Sequence, residues 1–253
     1  MTATPPGRTY ADYLGLEALL ATQQPLSDVH DEMLFIVIHQ TKELWLKEIL
    51  YELDYATGEL RADRHMFVHK ALSRVSRIQT VMTLSWDILT TLTPSDYLKF
   101  RHVFGSASGF QSAQFRAVEY RLGLKNRAFL ENYSEGSDER AMLEAALEAP
   151  SLWDEAVAAL GRAGFDVSDD AAVEASWTQV YRDPAAHPGL YGLAEKLVDL
   201  DDALAAWRHK HVLTVERVIG GRTGSGGSAG AAYLRSTLEK RAFPALWSLR
   251  SQL

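Results

Sequence analysis

Apolar residues recur at helical spacing along most of this chain, and the strict alternation of a half-buried strand is scarce. Between Ser27 and Leu53, Phe35, His39, Leu46 and Leu50 form one stripe, while Leu34, Ile38, Trp45 and Ile49 form a second. A helix apolar on two faces is expected to lie between partners. Ser27 or Asp28 is placed to cap it, and Asp31 and Glu32 suit its positive end. A second long helix is predicted over 64–92, ended by the Thr93-Pro94 step. Pro94 then opens a short helix through Phe104, because proline suits the first helical turn.

Residues 105–109 read as a loop and 110–122 as a further helix. Shorter amphipathic helices fill 137–182, with breaks near Pro150 and Gly164. A third long helix is predicted over 190–219, and the tail 231–253 reads as helical with a kink at Pro244. No internal repeat and no dividing linker is visible. The pattern predicts one all-α domain spanning 1–253, a helical bundle of long antiparallel helices.

The third long helix carries the most pointed chemistry. Leu204, Trp207, Arg208, His211, Val215 and Val218 share one face, whereas His209 lies about 200° around from His211 at about 100° per residue. One histidine of the two therefore faces inward, and the stripe selects His211. An inward imidazole in a chain with Cys 0 is suited to hold the iron of a non-covalent haem. A hydrogen-bonded core histidine fits the same position, and His39 on the Phe35 stripe carries the same two readings. Two inward histidines on two long helices favour a shared site.

Composition narrows the rest. With 253 residues and 47% apolar content the chain can bury a substantial core. A formal net charge of -7 with no basic stripe argues against nucleic-acid binding. The lack of cysteine removes disulfides, zinc-thiolate sites, iron–sulfur clusters and covalent haem attachment. The opening residues lack the order of a signal peptide, and no apolar run approaches the ~18–20 residues of a membrane span. A soluble, cytoplasmic protein is expected.

Other constellations have blander readings beside them. His65 and His69 at i, i+4 can pair on a metal, but no third ligand lies nearby, and a solvated face is expected. Tyr97 and Arg101, also i, i+4, can together grip a carboxylate, but spacing alone favours a surface arginine packing its stem on a tyrosine. The glycine-rich run 220–230 lacks the Lys-Ser/Thr of a phosphate loop and follows a helix rather than a strand, which leaves a flexible linker or a closing lid.

Several strings are more particular. DEMLFIVIHQTKELWLKEIL (31–50), SASGFQSAQFR (106–116) and HVLTVERVIGGRTGSGGSAG (211–230) resemble the tryptophan 2,3-dioxygenases, as do YADYL (10–14), QQPLS (23–27), SWDIL (85–89) and LWSLR (246–250), in the same order. The resemblance implies an all-helical oxygenase dependent on haem b (iron protoporphyrin IX), a homotetramer. The implied reaction inserts both atoms of O2 across the indole C2–C3 bond of L-tryptophan, giving N-formylkynurenine.

Carried over by position, His211 is the implied proximal iron ligand and His39 the distal histidine that meets the indole N–H. Phe35 is implied to pack on the indole, and Tyr97 and Arg101 to hold the substrate carboxylate. Tyr10 and Tyr13, in an N-terminal arm over 1–26, are implied to reach a neighbouring subunit's pocket. Ser225 of the 220–230 lid stands where the family usually has a threonine that binds the substrate ammonium. Its smaller side chain frees space, and motivates an alternative in which one oxygen enters tryptophan or β-methyltryptophan to give a 2-oxindole-type product. A haem sensor or carrier without turnover would keep His211, but has no use for Phe35, Tyr97 and Arg101 together.

Overall fold

The computed structural model describes residues 7–227 and 229–253. The expected N-terminal arm therefore has residues 1–6 outside the described part, as is Ser228 of the glycine-rich loop. No strand occurs among the described residues, and the architecture is all-α.

Three long helices make the frame: α3 (Asp31–Arg61), α4 (His65–Leu89) and α10 (Pro188–Ile219). The N-terminal arm forms two single-turn helices, α1 (Tyr10–Leu14) and α2 (Leu16–Leu20). Between α4 and α10 come α5 (Pro94–Phe100), α6 (Ala113–Leu122), α7 (Asp138–Glu148), α8 (Leu152–Arg162) and α9 (Asp170–Arg182). The C-terminal part adds α11 (Ala231–Arg235) and α12 (Pro244–Ser248).

α4 lies between α3 and α10 and packs along both. Its inward positions Val68, Leu72, Val75, Ile78 and Met82 meet Leu46, Ile49, Leu53 and Leu60 of α3 and Leu193, Leu197, Leu200 and Leu204 of α10 in one continuous core. α3 and α4 form a tight antiparallel hairpin whose turn places Asp63 at φ 54, a left-handed conformation that aspartate tolerates. Arg162 of α8 then grips the Asp63 carboxylate at 2.8 Å.

The expectation of antiparallel long helices holds for α3 against both α4 and α10, while α4 and α10 run parallel to each other. Gly189 lies beside His65 at one end and His211 beside Trp86 at the other, so α10 runs parallel to α4. The intervening segment 90–187 is long enough to carry the chain back to the starting end, which removes any need for a hairpin turn.

Two other expectations are corrected. α3 starts at Asp31 without a side-chain cap, because Glu32 folds back to accept from the amides of Leu26 and Ser27 at 2.8 Å, and from the Ser27 hydroxyl. Ser27 is thereby engaged as a donor to Glu32 instead of capping the helix. The tail is helical only over α11, α12 and a closing turn, Leu249–Ser251. Between them, buried Asp201 accepts the amides of Ala242 and Phe243 and the Trp247 indole N–H, while Arg208 donates to the Lys240 carbonyl at 2.8 Å. These contacts take up backbone groups that a continuous helix would have paired internally.

Candidate functional site

The gap between α3 and α10 at one end of the frame is floored by α4 and closed by α5, α6 and the glycine-rich loop. It forms a cavity of about 260 Å³. Each wall follows from helical spacing. α3 contributes Phe35, His39, Lys42 and Leu46; α4 contributes Met82, Trp86 and Leu89; α10 contributes Trp207, His211, Val215 and Val218.

His39 and His211 thus meet in one cavity from opposite helices, while His209 is exposed, as its angular position requires. The His39 ring lies with Nδ1 2.7 Å from the Phe35 carbonyl. A carbonyl only accepts, so Nδ1 carries the proton and Nε2 keeps a free lone pair. Burial pushes the His39 imidazole down to about 4, against the opposing effect of the Phe35 hydrogen bond, and the Lys42 charge adds to the fall.

His211 stacks on Trp86 with ring centroids 4.4 Å apart at 12°, and Trp207 flanks it at 5.1 Å. Burial pushes this imidazole down to about 3, with the charges of Lys42 and His39 contributing less. No described residue hydrogen-bonds its ring. Both histidines are neutral near neutral pH, the form in which an imidazole can ligate iron or accept a proton.

Phe35 belongs to an aromatic box. It stacks on Phe104 at 4.7 Å and meets Phe100 edge-on at 5.9 Å, with Tyr97 at 6.1 Å. Thr93 caps α5 by accepting from the Asp96 amide at 3.2 Å, and Pro94 sets its first turn, which fixes Tyr97 against Phe35. The helix then tightens to a single 3₁₀ turn over Arg101–Phe104, which sends the Arg101 guanidinium toward the loop, where it donates to the Thr223 carbonyl. Burial raises the Tyr97 phenol above its usual value, and Arg101 opposes that rise.

Ser225 lines the cavity and donates to the Ala107 carbonyl at 2.7 Å, which leaves its oxygen lone pairs free to accept from a cation. Gly226 sits so close to the α5–α6 connection that a Cβ there would come within 2.6 Å of Ser108 Cβ. The loop thus lies down on the cavity mouth. Tyr10 and Tyr13 do not join their own chain's cavity; they stand 77% and 71% exposed.

Pattern reading passed over the charged groups of this cavity. Glu119 of α6 is buried between two cations, accepting from Arg208 at 2.7 Å and from Arg116. Arg116 packs its guanidinium 3.4 Å from the Phe129 ring and leaves Nε without an acceptor. Lys42 is buried with no acceptor for its Nζ among the described residues, and the indole N–H groups of Trp86 and Trp207 are likewise unpaired there. The i, i+3 spacings His39–Lys42 and Arg116–Glu119 were the available signals.

A haem fits this donor set. A neutral imidazole free of hydrogen bonds stands in an aromatic slot, and two donors without an acceptor among the described residues, Lys42 Nζ and Arg116 Nε, line the same cavity to meet a flat group with apolar faces and two carboxylates. By contrast, no group of three His, Cys, Asp or Glu among the described residues could hold a bare metal ion. His65 and His69 are half-buried against α10 and not solvated as expected.

Comparison with known proteins points the same way. A family model described as tryptophan 2,3-dioxygenase matches residues 2–167 and 157–253. The chain is 60% identical over 258 residues to a tryptophan 2,3-dioxygenase of Caulobacter vibrioides, covering 97% of this chain and 98% of that protein. It is 49% identical to one from Bacillus cereus, over 97% of this chain and 92% of the relative. A Cupriavidus necator tryptophan 2,3-dioxygenase is 47% identical, over 97% and 88%. The chain belongs to the tryptophan 2,3-dioxygenase family of oxidoreductases.

Proposed function

We propose that this cavity holds haem b and that the protein oxidises L-tryptophan with O2, both oxygen atoms entering across the indole C2–C3 bond to give N-formylkynurenine. The observation that carries the reading is the pair His39 and His211 on opposite walls of one cavity, with the His211 ring free of hydrogen-bond partners. The identity of the relatives does not favour the one-oxygen alternative that Ser225 suggested.

In this reading His211 would hold the haem iron through its neutral imidazole. When bound, the haem supplies the redox chemistry of O2; the chain's own groups bind, orient and shield. His39, held by the Phe35 carbonyl, presents the Nε2 lone pair to the indole N–H and can hold that proton as charge develops on the ring. Phe35 packs on the indole face. Arg101 exchanges the Thr223 carbonyl for the substrate carboxylate, a charge-assisted pairing that the Tyr97 hydroxyl can supplement. Ser225 accepts from the substrate ammonium with the lone pairs that its bond to Ala107 leaves free.

Fixing both ends of the amino acid orients the indole edge, and the 220–230 loop excludes water over it. The exposed Tyr10 and Tyr13 of the 1–26 arm complete a neighbouring copy's pocket within a homotetramer. No described helix is long and apolar enough to cross a membrane, and a cysteine-free chain suits a reducing cytoplasm.

The test is anaerobic mixing of the ferrous, hemin-reconstituted protein with L-tryptophan, followed by O2 and product mass. Addition of two oxygen atoms is expected. Addition of one oxygen, or absence of a Soret band after reconstitution, would overturn the reading.

A further inference from the structure

Lys42 stands one turn beyond His39 on α3 and is 7% exposed. Its ammonium has no hydrogen-bond acceptor among the described residues. Its nitrogen lies over the face of Trp86, the ring that stacks on His211, inside the cavity between the two histidine walls, and burial pushes its pKa down to about 6, so the amine carries its full charge near neutral pH only once an anion meets it. The carboxylates within the cavity walls are already engaged. Glu43 accepts from Gln114 Nε2 at 2.8 Å, and Glu119 is held by Arg208 and Arg116.

A buried ammonium without a counter-ion is costly, and an apolar residue of the same length would fill this site at less cost. A cation retained there is therefore expected to meet an anion carried by the cavity's occupant. Two occupants bring carboxylates, the porphyrin and the amino-acid substrate. The substrate carboxylate has a separate fork at Arg101, whose guanidinium reaches the loop at Thr223 rather than the Trp86 face. That leaves the porphyrin.

Resting on the haem reading above, we propose that Lys42 is a cofactor-positioning residue whose ammonium donates to a porphyrin propionate. The compact head on a flexible four-carbon stem is suited to this, since it can swing from the Trp86 face to an oxygen without moving α3. Arg116, with an unpaired Nε in the same cavity, is held in place by Glu119 and offers a second, stiffer donor.

The experiment titrates the apoprotein with hemin and with hemin dimethyl ester, in which both carboxylates are blocked. The Soret band reports binding, and transfer to apomyoglobin reports release. Lys42→Met is expected to weaken hemin binding roughly ten- to a hundred-fold, the scale of one charge-assisted hydrogen bond. It should leave dimethyl ester binding unchanged, and Lys42→Arg should restore most of the loss for hemin. Because Lys42→Met removes a buried amine that has no acceptor among the described residues, its urea midpoint as apoprotein should equal or exceed that of the parent.

Equal hemin binding by Lys42→Met and the parent would overturn the proposal, as would an equal loss for hemin and its ester. Unchanged hemin affinity with a raised KM for tryptophan would reassign the ammonium to the substrate and also overturn it. A parent protein that binds no hemin would remove the haem reading and this proposal together, whereas the other outcomes touch Lys42 alone.

Discussion

His65 and His69 stand four residues apart on one helix, whereas His39 and His211 come from opposite ends of the chain, yet the distant pair shares a cavity. Both pairs are pushed down in pKa by burial, and both sets of rings have unmet hydrogen-bonding capacity; His65 Nδ1 and His69 Nε2 are buried without partners. The difference is space. Opposite His65 and His69, α10 presents Gly189 and Gly192, and its backbone comes so close that a Cβ at Gly192 would lie 2.5 Å from His69 Cε1. Opposite His39 and His211, the helices diverge and leave about 260 Å³. Ring spacing along a helix therefore says less about ligation than whether neighbouring helices fill the volume in front of the ring.

The strongest way to break this comparison is at His211. His211→Ala should lower hemin retention by about a hundred-fold or more, since the imidazole proposed to hold the iron is removed. His65→Gln with His69→Gln should leave retention within about twofold, because sites far apart act independently. Soret titration checks both. If the double variant lost haem as His211→Ala does, the contrast between filled and open pairs would be wrong.

Next in size is the substrate carboxylate. Arg101→Ala should cut kcat/KM for L-tryptophan by roughly a hundred-fold, the loss of a bidentate charged pair, while turnover of tryptamine, which has no carboxylate, changes far less. Steady-state kinetics on the two substrates decide the matter. A smaller effect is expected at His39. His39→Ala should lower kcat for tryptophan by about ten- to a hundred-fold, and leave 1-methyltryptophan, which has no indole N–H, nearly unaffected. Equal losses on both substrates would remove the indole contact.

The smallest effect is on acid stability. His39 and His211 fold with values of about 4 and about 3, below the ordinary 6.5, so the unfolded chain binds more protons as pH falls. Stability from their neutral forms is fully present above pH 6.5, and is lost progressively as pH drops toward 4. Urea midpoints of the apoprotein should fall over that window, and fall less steeply in His39→Gln. A midpoint independent of pH would contradict neutral burial.

Much of the frame was legible because helix periodicity is local. The 100° step between residues decides that His211 faces in and His209 out before any partner is known, and the structure leaves His209 exposed. Thr93-Pro94 carries its own stop and start signals, and α5 begins at Pro94. The tail was less legible. Its backbone groups are taken by Asp201 and Arg208 of α10, 41 and 32 positions away in sequence, whose carboxylate and guanidinium no local pattern connects to Ala242 or Lys240.

From residues alone follow the helices, their apolar faces and which histidines point inward, since these depend on spacing within one segment. Tertiary structure alone determined that α10 lies parallel to α4, that Glu119 is buried between Arg116 and Arg208, and that Lys42 has no acceptor among the described residues. Burial and charge pairing are properties of what packs opposite a residue, and the opposite wall belongs to another part of the chain.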